Sequence, residues 1–178
     1  MPPVLKRQIA LVLALICTSA VAGAATKLTA EDQRLDAYVS ARMAEGDGAL
    51  QAAAKGYAAA MALDPASPDV ASRAYRQAVL AGDRALALKA AHVLDGAGML
   101  PADGTVLLFS DALARGKWKE AGTLLDRIER EGNFAFIVPF MRSWISVKEG
   151  PYDPPVVPVD KPYAVFAVIQ SAERAPWT

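Results

Sequence analysis

The chain carries one cysteine and one histidine in 178 residues. The cysteine, Cys17, sits in the opening segment, so the rest of the chain can form neither an internal disulfide nor a thiolate zinc site. His92 stands between Ala91 and Val93. It has only Asp95 within helical reach, so a metal centre is not expected. Runs of one charge are also missing. Basic and acidic residues number 19 each, and no Lys/Arg cluster points to nucleic acid or to an anionic lipid surface. The glycines are spread at helix-length intervals, which excludes a phosphate-cradling loop. The longest apolar run, Ile9 to Ile16, falls short of the roughly 20 residues that span a bilayer.

What is present begins with that run. Lys6 and Arg7 precede it, and small residues from Ser19 to Ala25 follow, with Ala20-Val21-Ala22 and Ala22-Gly23-Ala24 both suited to cleavage. This layout predicts a secretory signal peptide over 1–24 and an exported, periplasmic or extracellular chain that starts near Gly23 or Ala25. An uncleaved anchor is the alternative. Lipidation of Cys17 is not expected, because Ile16 before it is too large. Loss of Lys6 and Arg7 would leave 17 basic and 19 acidic residues, a net charge of about −2.

The rest is periodic. Gly46, Gly82, Gly116 and Gly150 follow one another at nearly equal intervals, roughly 34–36 residues, the length of a helical-hairpin repeat. Each lies between two helix-like stretches and is expected to end a helix in the left-handed conformation. Pro65 and Pro101 recur at a similar interval and are expected to stop second helices. Leu50, Ala53, Ala54, Tyr57, Ala58 and Met61 mark one helix face, and Leu124, Leu125 and Ile128 form a stripe on another. Thr29 before Glu31-Asp32, and Ser67-Pro68-Asp69, are start signals. The reading is all-α, with eight helices at about 30–45, 48–63, 68–81, 83–97, 104–115, 117–131, 134–149 and 162–173.

Gly46-Asp47, Tyr57, Ala60 and Asp64-Pro65, then Gly82-Asp83 and Pro101, then Trp118, Ala121, Leu125 and Ile128, resemble the second halves of tetratricopeptide repeats. The resemblance covers residues 30 to 150. It implies a superhelical α-solenoid of about three and a half antiparallel helix pairs, in a domain spanning 25–150. Sel1-like repeats are the competing class with the same architecture. In the tetratricopeptide family the first helices line a concave groove that holds a protein or peptide partner. Carried over, this implies a groove of Asp36, Ser40, Met43, Asp69, Ser72, Arg76, Val79, Val106, Ser110 and Leu113.

Residues 151–162 hold five prolines and are expected to run extended as a linker. Residues 163–178 are expected to form an apolar C-terminal helix. An all-round apolar end lacks the polar face of a capping unit, which is compatible with a shortened copy of a longer array. Tyr163, Phe166, Val168 and Ile169 are candidates for self-association. The aromatics Phe134, Phe136, Phe140, Trp144, Tyr152, Tyr163, Phe166 and Trp177 gather in this half, either as core or as a partner patch.

No nucleophile with a paired base is evident. Asp95 and Asp111 sit in apolar surroundings with no evident partner. Catalytic residues, metals and cofactors are therefore not expected. The implied function is an exported scaffold for a protein or peptide, without membrane insertion of the mature chain or nucleic-acid binding. The alternative is a fragment or subunit of a larger enzyme or assembly complex of the cell envelope.

Overall fold

A computed structural model describes residues 29–149 and 151–174. The described residues divide into two units between Gln33 and Arg34. In the first, Thr29 and Asp32 cap each other. Thr29 Oγ1 accepts from the Asp32 backbone N–H at 3.1 Å, and the Asp32 carboxylate accepts from the Thr29 N–H at 2.9 Å and its hydroxyl at 2.7 Å. These bonds satisfy donors that the start of a helix would otherwise leave open. They also hold Asp32 below the usual carboxylate range.

Eight α-helices are present among the described residues: α1 (Ala30–Gly46), α2 (Leu50–Leu63), α3 (Pro68–Ala81), α4 (Arg84–Gly96), α5 (Ala102–Ala114), α6 (Trp118–Glu131), α7 (Val138–Glu149) and α8 (Ala164–Arg174). A 3₁₀ turn, Ala135–Ile137, leads into α7. No strand occurs among the described residues. Consecutive helices pack on one another: α2 on α3, α3 on α4, α5 on α6 and α6 on α7, with a thinner contact between α4 and α5. The helix expected at 134–149 is delayed to Val138 by the 3₁₀ turn.

The turns show a cleaner period than the sequence suggests. Gly48, Gly82 and Gly116 have φ of 69°, 73° and 68° and are equally spaced along the chain. Gly98 and Gly132, φ 69° and 81°, share the same spacing. The first glycine of the series is thus Gly48. Gly46, expected in that role, is the last residue of α1, and Gly150 lies outside the described residues. Each first-helix end closes identically. The N–H after the glycine donates back to an alanine carbonyl, Ala49 to Ala44 at 2.9 Å, Asp83 to Ala78 at 2.8 Å and Lys117 to Ala112 at 2.9 Å. These are the six-to-one bonds of a left-handed helix cap. Pro101 is the N-cap residue of α5. It therefore opens the third pair; Gly98, not Pro101, closes the second, since α4 has already ended at Gly96.

Burial repeats with the same spacing. Ala53, Ala87 and Ala121 are buried in α2, α4 and α6, as are Tyr57, Ala91 and Leu125, and Ala60, Leu94 and Ile128. In the first helices, Ala41, Tyr75, Phe109 and Ser143 are buried. Position 143 belongs to α7, so α7 takes the place of a fourth first helix. Residues 151–162 are irregular, as their prolines require. They are tied to α7 by Ser146 Oγ accepting from the Asp153 N–H at 3.0 Å, and by Ser143 Oγ donating to the Asp153 carbonyl.

Candidate functional site

Successive first helices leave a series of spaces between them, each with a different filling. Between α1 and α3 the space is closed by charge. Glu45 accepts from the Tyr57 hydroxyl at 2.5 Å and from Arg42 at 2.6 Å, with Arg73 at 3.7 Å. Arg73 also lies over the Tyr38 ring, 6.0 Å from its centroid, and Tyr38 meets Tyr57 edge-on at 6.1 Å. The Tyr57 hydrogen bond, aided by the arginines, holds Glu45 below the ordinary carboxylate range despite its partial burial.

Between α3 and α5 an open cavity of about 430 Å³ remains. Val79, Val106 and Leu107 form its apolar wall; Asp83, Asp103 and Ser110 stand at its edges. Tyr75 reaches into it, with its hydroxyl donating to Asp103 at 2.8 Å. Burial, then that bond, pushes the Tyr75 phenol well above its ordinary value. Between α5 and α7 a second cavity of about 400 Å³ has Leu113, Trp118, Met141 and Trp144 in its wall. These four stand one repeat after Val79, Arg84, Leu107 and Ser110 of the first cavity. The two cavities therefore share four lining positions about 34 residues apart. Lys148 covers the Trp118 ring at 5.4 Å.

Four of the ten residues carried over as groove positions line these cavities: Val79, Val106 and Ser110 the first, Leu113 the second. Asp69 and Arg76 are exposed on α3, and Ser72 is half-buried. Asp36, Ser40 and Met43 are exposed on α1. The spacing of the left-handed glycines aligns Tyr38, Arg42 and Glu45 with Ser72, Arg76 and Val79, and with Val106, Ser110 and Leu113. Counting from Gly46 instead of Gly48 displaced the α1 positions. Tyr75, Asp83, Asp103, Trp118 and Trp144 were missed as cavity residues. The spacing of Gly82, Gly116 and Gly150, about 34 residues, already puts Trp118 and Trp144 in register with Arg84 and Ser110.

Two carboxylates expected to stand alone do not. Asp111, buried in α5, receives Arg84 at 3.1 Å and Arg115 at 2.5 Å. Asp95 is paired with Arg127, which also reaches Glu131 at 2.7 Å. His92 is exposed. No group of three or more His, Cys, Asp or Glu able to hold a metal occurs among the described residues.

The aromatic half forms a third surface. Tyr163 lies between Phe136 and Phe140, at 6.2 and 6.4 Å between ring centroids. Ala167 and Gln170 seat α8 against α7, where the Gln170 amide donates to the Phe140 carbonyl at 3.4 Å. Phe136, Trp144 and Phe166 stay substantially exposed, so this cluster is only partly core. Trp177 lies outside the described residues. No helix among the described residues is long and apolar enough to cross a membrane.

No family model, curated protein or solved structure matches the chain.

Proposed function

We propose that the chain is an exported tetratricopeptide-like scaffold that holds a segment of a protein partner along the face made by α3, α5 and α7. One observation carries this reading: two open cavities with apolar walls share four lining positions at the spacing of the left-handed glycines, about 34 residues. A row of similar cavities suits a ligand that is itself extended and repeats along its length, rather than a compact metabolite. The even spacing of the left-handed glycines, about 34 residues, also favours the tetratricopeptide class over a longer repeat. The signal-like layout of 1–24 supports export.

The test is capture from cell-envelope extracts on the immobilised full chain, beside Leu113→Glu and Arg76→Glu. A partner retained by the parent and lost with Leu113→Glu supports the scaffold. Equal retention by all three overturns it. Turnover of an envelope polymer by the purified chain would replace it with the enzyme reading. Intact mass of the protein recovered from cells tests export; a product retaining residues 1–22 sinks it.

A second surface favours self-association. Val165, Phe166, Val168 and Ile169 of α8 are 56%, 58%, 69% and 49% exposed. Contiguous apolar surface of this kind marks interfaces. Sedimentation at tens of micromolar, an order-of-magnitude choice, should show oligomers for the full chain and monomer for Phe166→Glu/Ile169→Glu. A monomeric parent removes this reading.

A further inference from the structure

We propose that the cavity between α3 and α5 takes a Lys or Arg side chain of the partner segment, with an apolar residue beside it. This rests on the reading of that face as the binding face and names what the face selects. The three spaces between first helices differ in charge. The first contains Arg42 and Arg73 and is closed onto Glu45. The third carries Lys148 over Trp118. Only the middle one is acidic at its edge and open.

Its two carboxylates, Asp83 and Asp103, are both exposed. Each accepts one hydrogen bond from the protein. Asp83 Oδ1 accepts from the Leu86 N–H at 3.0 Å as the cap of α4, and Asp103 Oδ2 accepts from the Tyr75 hydroxyl. Neither has an ion pair among the described residues. Arg84 is in the wall, but Asp111 holds it, and Arg115 shares that carboxylate from the far side. The cavity lining carries two carboxylates and one guanidinium, which leaves a net negative edge beside an apolar floor of Val79, Ala87, Val106 and Leu107. A long cationic side chain matches that arrangement: its methylenes lie on the floor while its head stays at the wet, acidic edge. An acidic segment would meet like charge there. The volume is at the scale of small binding pockets, enough for one such chain and a neighbour.

The test uses three synthetic peptides, acetyl-Ala-Leu-Lys-Leu-Ala-amide and its analogues with Glu or norleucine at the centre. Each is titrated into the isotope-labelled full chain and followed by amide chemical shifts. The Lys peptide should move resonances at 75–87 and 103–110, and the other two should not. Asp83→Asn/Asp103→Asn should weaken it about fivefold, the size expected for two exposed charge contacts. Asparagine keeps both the cap and the acceptor for Tyr75, and an unchanged melting curve verifies the fold. Equal response to all three peptides, an unaffected double variant, or shifts confined to α7 and α8 would each overturn the proposal. The two levels separate cleanly. If Leu113→Glu abolishes capture of an envelope partner while the Lys peptide fails, the scaffold stands and the cation preference falls.

Discussion

The two buried clusters of this chain are built on opposite plans. In the first, running from Ala41 through α2, α3 and α4 to Leu108, eight of fifteen buried members are alanine. In the second, Phe109, Leu125, Ile128 and Val138 outnumber Ala112 and Ala121. Small side chains let helix backbones approach closely, since interaxial distance follows the residues at the contact. Gly56 shows the limit: a Cβ there would lie 2.8 Å from the Ala41 Cβ and 2.9 Å from its Cα. Gly122 of α6 has nothing within 4 Å of the corresponding point. Bulky side chains hold the second cluster's helices together through large surfaces, and α8 adds a further apolar face that stays exposed. At Gly56 the first region leaves no slack between α1 and α2. The second carries open apolar surface at its end.

The largest test of that contrast is Gly56→Leu. The neighbouring atoms are the Ala41 Cβ and backbone, which cannot rotate away, so unfolding in urea should show a loss of about 3 kcal/mol. A variant as stable as the parent would mean that α1 and α2 are not closely packed. Gly82→Val separates packing from backbone strain. Nothing lies within 4 Å of a Cβ at Gly82, yet its φ is 73°, so a loss of about 2 kcal/mol comes from conformation alone. Gly122→Ala should go the other way. With free space and a helix interior, it should gain roughly 0.5–1 kcal/mol, and a loss would show that the space beside Gly122 is filled.

The smallest effect is on pH. Glu45 is held below the ordinary carboxylate value by the Tyr57 hydroxyl and the arginines. Its contribution is therefore full above the unfolded value of about 4.5 and fades as pH falls through the lower folded one. Glu45→Gln should flatten the acid side of the stability curve by less than about 1 kcal/mol. Chemical unfolding between pH 3 and 6, a range set by ordinary carboxylate titration, measures it.

The number and nature of the helices were legible because glycine, proline and alanine punctuate this chain so regularly. All eight expected segments hold a helix. Register was harder. Gly46 and Gly48 are both in the same turn, and only the conformation tells which is left-handed, so the α1 groove positions were counted from the wrong one. Pro101 was read as an end because a proline after a helix and a proline before one look alike in sequence. The cavities were partly legible, through Val79, Val106, Ser110 and Leu113. Asp83 and Asp103 escaped because one belongs to the Gly82-Asp83 turn of the repeat resemblance and the other had no pattern around it. Asp95 and Asp111 find their partners on other helices, Arg127 of α6 and Arg84 of α4, which no local pattern announces.

Leu108 and Phe109 are adjacent on α5 but belong to different clusters. The helix therefore has one flank in each, where α4 and α5 themselves touch only thinly and Arg127 reaches across to Asp95. Cooperative opening follows buried contact, so the two clusters should behave as separate units in native-state amide exchange. α5 is the exception. Its amides stay protected while either unit is closed, so they should exchange more slowly than those of α6 and α7. Uniform exchange rates from α2 to α7 would mean instead that the whole array opens as one.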